Sequence, residues 1–360
     1  MVQKGQNTEV DVNELVEEIE ENVLPPDNIV VLNELRSASD LNRLMSTDDS
    51  IDLHPDFQRD EVWNDEARAR FIDSLSKEFP IPSMCFALDP KEQKYIVIDG
   101  LQRMSTIKRF LNDPAWVLPK LKDIDQKISG RSVSDIKKQA PGTYRRIENI
   151  SLPVTILRYD PGRSDNMDYI FTIFQRLNTF GERLNNQEIR NAIYQGPFSA
   201  FLRSCAKNRV WVEIARTQKR GRGSRMIAEE RALRFFAFYD DANKYNGKLN
   251  KFLNDYMQKN RYSSDNSNRE MIFNSVATVV KRLGVSNLGK SNALKDAVLY
   301  GIAKNLGTLE NVPVTRLSKL LENLKENKHF TVQALSEATM QKGKVHDRLT
   351  TAATIFSRRT

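Results

Sequence analysis

Apolar residues recur along this chain with two different periods, and the change from one to the other falls near residue 160. Before that point, short β-branched and aromatic blocks alternate with helical spacing. Tyr95, Ile96, Val97 and Ile98 form one such block, and Met104, Ile107, Phe110 and Leu111 then follow at helical intervals, with Asp99-Gly100 between them. Ile29–Leu32, Ile51–Leu53, Met84–Leu88 and Pro153–Tyr159 read as further strands. Helices are expected over Ser37–Met45, with Ser37 or Ser39 at the start, and from about Asp65 to Glu78, where Pro80 and Pro82 forbid continuation. The strands at Met84–Leu88 and Tyr95–Ile98 are close enough in sequence to pair as a hairpin beneath the Asp-Gly turn. Between Leu111 and Pro153 the chain reads as irregular, with a polar, basic stretch from Lys127 to Arg146.

Everything after Tyr159 has helical spacing: Tyr169–Leu177, Asn186–Tyr194, Phe198–Ala206, Ile227–Tyr239, Leu249–Met257, Met271–Leu283, Ala293–Leu306, Val314–Leu324 and Val345–Phe356. The expected fold class is α+β. Residues 1–27 form an acidic leader, 28–160 a mixed α/β domain and 161–360 an all-α domain.

With 360 residues, 39% of them hydrophobic, the chain can bury sizeable cores. Its apolar runs are too short for a membrane span, and the beginning MVQKGQNTEV has no signal-peptide pattern, so a cytoplasmic location is expected. Cys85 and Cys205 sit far apart in apolar settings and read as reduced, buried thiols. Three histidines, His54, His329 and His346, are too scattered for a zinc cluster. The formal charge of +8 is unevenly placed: residues 1–30 carry eight acidic side chains against Lys4, which leaves +15 on the remainder. A body that basic favours a polyanion such as DNA, although a basic surface can also be merely soluble.

Three stretches place arginine beside an amide or a carboxylate at an element boundary: Gln58-Arg59, Asp99 to Arg103, and Gln175 to Asn178 with Glu188 to Asn191. The second is the most informative. A strand that turns through glycine into a helix leaves backbone N–H groups unpaired, and Gln102 and Arg103 add donors there. Asp99 is suited to hold a magnesium-bound water or a ribose hydroxyl. The competing interpretation is a tight turn with a capped helix. The run Gln218–Arg225 gathers Lys219, Arg220, Arg222 and Arg225, whose charges suit a nucleic-acid phosphate chain or a solvated loop equally. Gly284–Ser291, GVSNLGKS, satisfies the phosphate-loop pattern, but the residues before it are spaced as a helix face. Gly284 therefore reads as a helix C-cap and Ser291 as the next N-cap.

Taken in order, HPDFQRDEVW, PIP, YIVIDGLQRMSTI and FQRLNTFGERLNNQEIRNAIY resemble the domain found as the N-terminal half of GmrSD-type modification-dependent restriction endonucleases. The resemblance spans about residues 28 to 240 and implies a ParB/sulfiredoxin-like nucleotide-binding fold. By it, Gln58 and Arg59 match the family's Gln-Arg motif. Asp99, Gly100, Gln102 and Arg103 match its Asp-Gly-x-Gln-Arg motif for nucleotide binding and hydrolysis, with Leu101 where many relatives carry a second glutamine. Asn178, Glu188 and Arg190 match its third block. Two-part relatives add an HNH nuclease, which needs a histidine base and metal ligands. Here the last 120 residues hold only His329 and His346, so that centre is not visible.

The resulting expectation is a magnesium-dependent ATP or GTP hydrolase acting with DNA in prokaryotic restriction or phage defence, with cleavage delegated to a separate nuclease subunit and oligomeric state left open. Arg59 and Arg103 would hold phosphates, Asp99 the metal, and Gln58 and Gln102 the nucleophile or the base. The alternative from another class is a non-catalytic DNA-binding or partner-recruiting subunit.

Overall fold

The computed structural model describes residues 24–46, 50, 51, 53, 63–177, 184–215, 224–336 and 339–358, without the side chains of 224 and 225. The chain is mixed α+β and divides into two compact units, one ending at Leu184 and one running from Asn185.

The first unit contains β1 (Val30–Ser37), α1 (Ala38–Ser46), α2 (Asp65–Ser76), β2 (Met84–Asp89), β3 (Lys94–Asp99), α3 (Leu101–Asn112), α4 (Val133–Gln139), α5 (Pro141–Asn149), β4 (Ser151–Arg158) and α6 (Ser164–Leu177). The strand order is β1-β4-β2-β3. β2 runs parallel to β4, and the β1–β4 and β2–β3 pairs are antiparallel. β2 and β3 are the expected hairpin, with a register shift between Cys85 and Phe86 that places Cys85 opposite Asp99. β2 is buried along its whole length, as a central strand should be. One sheet face, carrying Met84, Phe86, Leu88, Leu152, Val154 and Ile156, packs on helical residues such as Leu41, Ile72, Ile107, Phe110 and Ile147. Each of these fully buried side chains contributes about 1.5–3 kcal/mol relative to exposure.

Local chemistry fixes the element ends. Ser37 starts α1 by accepting the Asp40 N–H at 3.0 Å, and Asn64 caps α2 by accepting the Ala67 N–H at 2.9 Å. β1 is longer than the expected Ile29–Leu32, while the expected strand at Ile51–Leu53 reduces among the described residues to one bridge between Ile51 and Tyr95. The stretch expected to be irregular contains α4 and α5. The first unit extends past residue 160 because α6 packs against β3.

The second unit holds α7 (Asn186–Ile193), α8 (Pro197–Cys205), α9 (Arg209–Ala215), α10 (Ser224–Asp241), α11 (Leu249–Asn260), α12 (Ser267–Leu283), α13 (Asn292–Lys304), α14 (Leu306–Leu309), α15 (Val314–Lys325) and α16 (Lys342–Phe356). Trp211 stacks on Phe273 at 4.3 Å between centroids. α13 and α16 approach so closely that a Cβ on Gly301 would lie 2.9 Å from the Ala352 backbone. Asp296 on α13, fully buried, receives Arg231 at 2.6 Å and also Arg234 from α10. Gly284 closes α12, and Ser291 caps α13 by accepting the Leu294 N–H at 3.3 Å, so the GVSNLGKS stretch joins two helices and follows no strand. Both cysteines are free and buried.

Candidate nucleotide site at the strand-to-helix turn

The turn between β3 and α3 is built on one glycine. Gly100 has φ +101° and ψ 9°, a conformation that residues with a Cβ rarely adopt. A Cβ there would stand 2.6 Å from Met84 Cγ at the start of β2. The chain consequently reverses from strand to helix within one residue, against a buried side chain of the neighbouring strand.

This geometry leaves the start of α3 polar and open. The first intrahelical bond runs from the Met104 N–H to the Gly100 carbonyl at 2.9 Å, so the N–H groups of Leu101, Gln102 and Arg103 have no partner within the helix. Gly100 has no side chain with which to cap them. The twelve-residue helix adds the positive end of its dipole at the same place. Arg103 reaches back one turn: Nη2 donates to Asp99 Oδ2 at 2.6 Å and Nη1 donates to the Pro82 carbonyl. The Arg103 side chain is 13% exposed and that of Asp99 46%. This pair is worth less than about 1 kcal/mol to stability because water screens the carboxylate, so its main effect is to fix the guanidinium beside the helix start. Gln102 Oε1 is buried with no hydrogen-bond partner among the described residues, a cost that a ligand donor would remove.

Cys85 lies opposite Asp99, where its thiolate is disfavoured. Burial, reinforced by the Asp99 charge, pushes its thiol up to about 12.

The sites expected from sequence distribute unequally. Asp99, Gly100, Gln102 and Arg103 come together in this turn. Gln58, Arg59, Asn178, Lys219, Arg220 and Arg222 lie outside the described residues, as does the side chain of Arg225. Glu188 and Arg190 belong to the second unit and have work in its own fold. Asn185 and Glu188 form a reciprocal capping box at the start of α7. Arg190, 1% exposed, donates to Asn254 at 2.9 Å and Asn250 at 2.7 Å, with Glu230 at 3.7 Å. Glu188 thus serves the start of its own helix, while Arg190 reaches side chains of α11 and α10. Two contributors escaped sequence reading, namely Met84, which shapes the turn, and the Pro82 carbonyl, which anchors Arg103. The proline-bracketed PIP segment before β2 was their only trace. Among the described residues, no group of three or more His, Cys, Asp or Glu side chains could hold a metal ion. No helix among them is long and apolar enough to cross a membrane.

A mixed four-stranded sheet whose hairpin ends in an uncapped helix beside a fixed arginine defines an α+β domain with a polar strand-to-helix site. Residues 41–195 match the family described as GmrSD restriction endonuclease, N-terminal domain. Comparison with curated proteins and with solved structures gives no match.

Proposed function

We propose that this chain binds and hydrolyses a nucleoside triphosphate at the β3–α3 turn and couples that event to DNA in restriction or phage defence. The observation that supports this reading best is the uncapped start of α3, three backbone donors behind a left-handed glycine with Arg103 fixed alongside. Phosphate oxygens suit the N–H groups of Leu101, Gln102 and Arg103. The Arg103 guanidinium keeps its fork orientation through Asp99 and the Pro82 carbonyl and spreads positive charge over the same place. Gln102, whose buried carbonyl has no partner among the described residues, is suited to orient the attacking water or the base through its amide.

Magnesium fits this donor set in the way it is commonly held, by one carboxylate together with waters and substrate phosphates. Asp99 is the residue that would hold it, half exposed and with one oxygen engaged by Arg103. Bound there, the ion would neutralise phosphate charge. Gln58 and Arg59 complete the proposal from their motif, and Lys219, Arg220, Arg222 and Arg225 are proposed to meet the DNA backbone. Cleavage of DNA is assigned to a separate nuclease subunit.

Purified protein with magnesium should release phosphate from ATP or GTP. Asp99→Ala and Arg103→Ala should each lower the rate by roughly 100-fold or more, with circular dichroism unchanged. Hydrolysis that survives both substitutions refutes the site. The strongly basic body favours a second reading, a DNA-binding subunit without catalysis. Calorimetry showing no nucleotide binding, alongside DNA retention that falls steeply with salt, would select it.

A further inference from the structure

β1 occupies the end of the sheet, and among the described residues nothing pairs with its outer edge. Its hydrogen-bonding parity follows from one contact. The Ala38 N–H donates to the Ile150 carbonyl at 3.1 Å, in the same diagonal as the β1–β4 register, so even-numbered residues of β1 bond to β4. Val31, Asn33, Leu35 and Ser37 therefore turn their N–H and C=O groups outward. Two of these four are apolar and exposed, Val31 at 51% and Leu35 at 72%. Natural edge strands are usually shortened or guarded by charged side chains, proline or a bulge; this eight-residue strand, VVLNELRS, has no proline, no bulge and no lysine, and its two charges, Glu34 and Arg36, are of opposite sign. The apolar surface also continues beyond the strand. Pro153, opposite Leu35, lines an open groove with Phe79 and Ile81, and Phe79 is itself 53% exposed.

We infer that the outer edge of β1 is the docking site for a second copy of this chain, the two β1 strands pairing antiparallel so that two four-stranded sheets become one. Charge selects both the occupant and the register. Centred on Leu35, the pairing sets Glu34 against the partner's Arg36 and Arg36 against the partner's Glu34. The two Leu35 side chains then meet on one face, with Asn33 opposite the partner's Ser37. Moving the centre by one residue in either direction sets Glu34 against Glu34 or Arg36 against Arg36, and like charges directly opposite are destabilising. A centre at Asn33 leaves both charges facing Leu32 and Val30. Within the monomer Arg36 already pairs with Glu34 at 2.8 Å and Asp40 at 3.2 Å, so both side chains are held at the edge where the partner's pair would arrive.

Sedimentation equilibrium of the full chain tests this. The wild type should be dimeric, and Leu35→Lys, at an exposed position that leaves the monomer core untouched, should weaken dimerisation by about tenfold or more. Glu34→Lys and Arg36→Glu should each do the same, and the double swap Glu34→Lys with Arg36→Glu should restore the dimer. A wild type that remains monomeric at about 100 µM, a concentration well above micromolar affinity, overturns the proposal and leaves the edge to a strand of another protein. A dimer indifferent to Leu35→Lys places the interface elsewhere and overturns it too. A double swap that fails to recover the dimer refutes the register.

Discussion

Replacing Gly100 by alanine isolates the turn on which the proposed site depends. At φ +101° the new residue lies beyond the left-handed well near +57°, and holding an L-residue in or past that well costs about 1–2 kcal/mol. Its Cβ would stand 2.6 Å from Met84 Cγ, 3.1 Å from Met84 Cβ and 3.3 Å from Met84 Sδ, where ordinary carbon contacts are about 3.5–4.0 Å. Met84 has no exposed surface, so it has to displace packed neighbours, which adds about 1–3 kcal/mol. Alanine also restricts the unfolded chain and returns about 0.4–1 kcal/mol. At mid-range values the net cost is therefore about 3 kcal/mol, confined to the first unit. Amide hydrogen exchange resolved over Lys94–Asn112 should register it as roughly 30- to 1000-fold faster exchange where opening limits protection. Met84→Ala removes the Cγ and Sδ contacts, including the shortest, and leaves only the Cβ at 3.1 Å, so in that background Gly100→Ala should cost about 1–2 kcal/mol less. Protection that changes less than about threefold would show that neither strain nor Met84 requires glycine here, and a cost identical in both backgrounds would remove Met84 as a cause.

The other expectations concern the second unit. Ser291→Ala should lower its stability by about 1 kcal/mol through loss of the α13 cap, while Lys290→Ala leaves nucleotide affinity unchanged in a fluorescence titration; a large loss of affinity would revive GVSNLGKS as a phosphate loop. At Asp296 burial alone would raise the carboxyl pKa, but Arg234 and Arg231 outweigh it and hold the pKa below the usual range. The stabilisation is thus fully present above the unfolded pKa of about 3.9 and disappears as pH falls through the lower folded value. Asp296→Asn, which leaves two buried arginines without their counter-charge, should cost about 3–5 kcal/mol near neutrality, and the gap from wild type should narrow in acid unfolding curves below about pH 4. A gap independent of pH would remove the ion pair as its cause.

The elements legible in sequence were those whose burial imposes a period. β2 reads as a strand because it is buried throughout, β3 because its Tyr95, Val97 and Ile98 are packed even though it lies at the other end of the sheet, and α2 and α3 because one side of each faces the core. β1 was underestimated since an edge strand tolerates Asn33, Glu34 and Arg36, which interrupt an apolar pattern without interrupting a ladder. α4 and α5 were missed for another reason. Seven and nine residues long, they bury only Val133 and Ile136 in one, and Thr143, Tyr144 and Ile147 in the other, too few for a period to show. Their signal lay in punctuation: Ser132 accepts the Asp135 N–H at 3.1 Å as an N-cap, and Pro141 opens the second helix.

The candidate site poses a sharper question, since in sequence Asp99 to Arg103 and Glu188 to Asn191 look alike, each a carboxylate and an arginine at a helix start. What separates them is where the hydrogen-bonding capacity goes. At α7 the N-cap and Glu188 satisfy each other's backbone donors, and Arg190 is consumed by the side chains of α11 and by Glu230. A helix start capped in this way has fewer donors left to offer an anion. At α3 the cap position is a glycine, so no side chain can close the helix. Asp99, which stands where a capping carboxylate would be useful, is held instead by Arg103. Arg103 in turn is fastened to the Pro82 carbonyl and cannot fold over the open donors without abandoning both contacts. The same residue types therefore build a capped helix end in one unit and an uncapped one in the other, and the proposed phosphate site rests on the uncapped end.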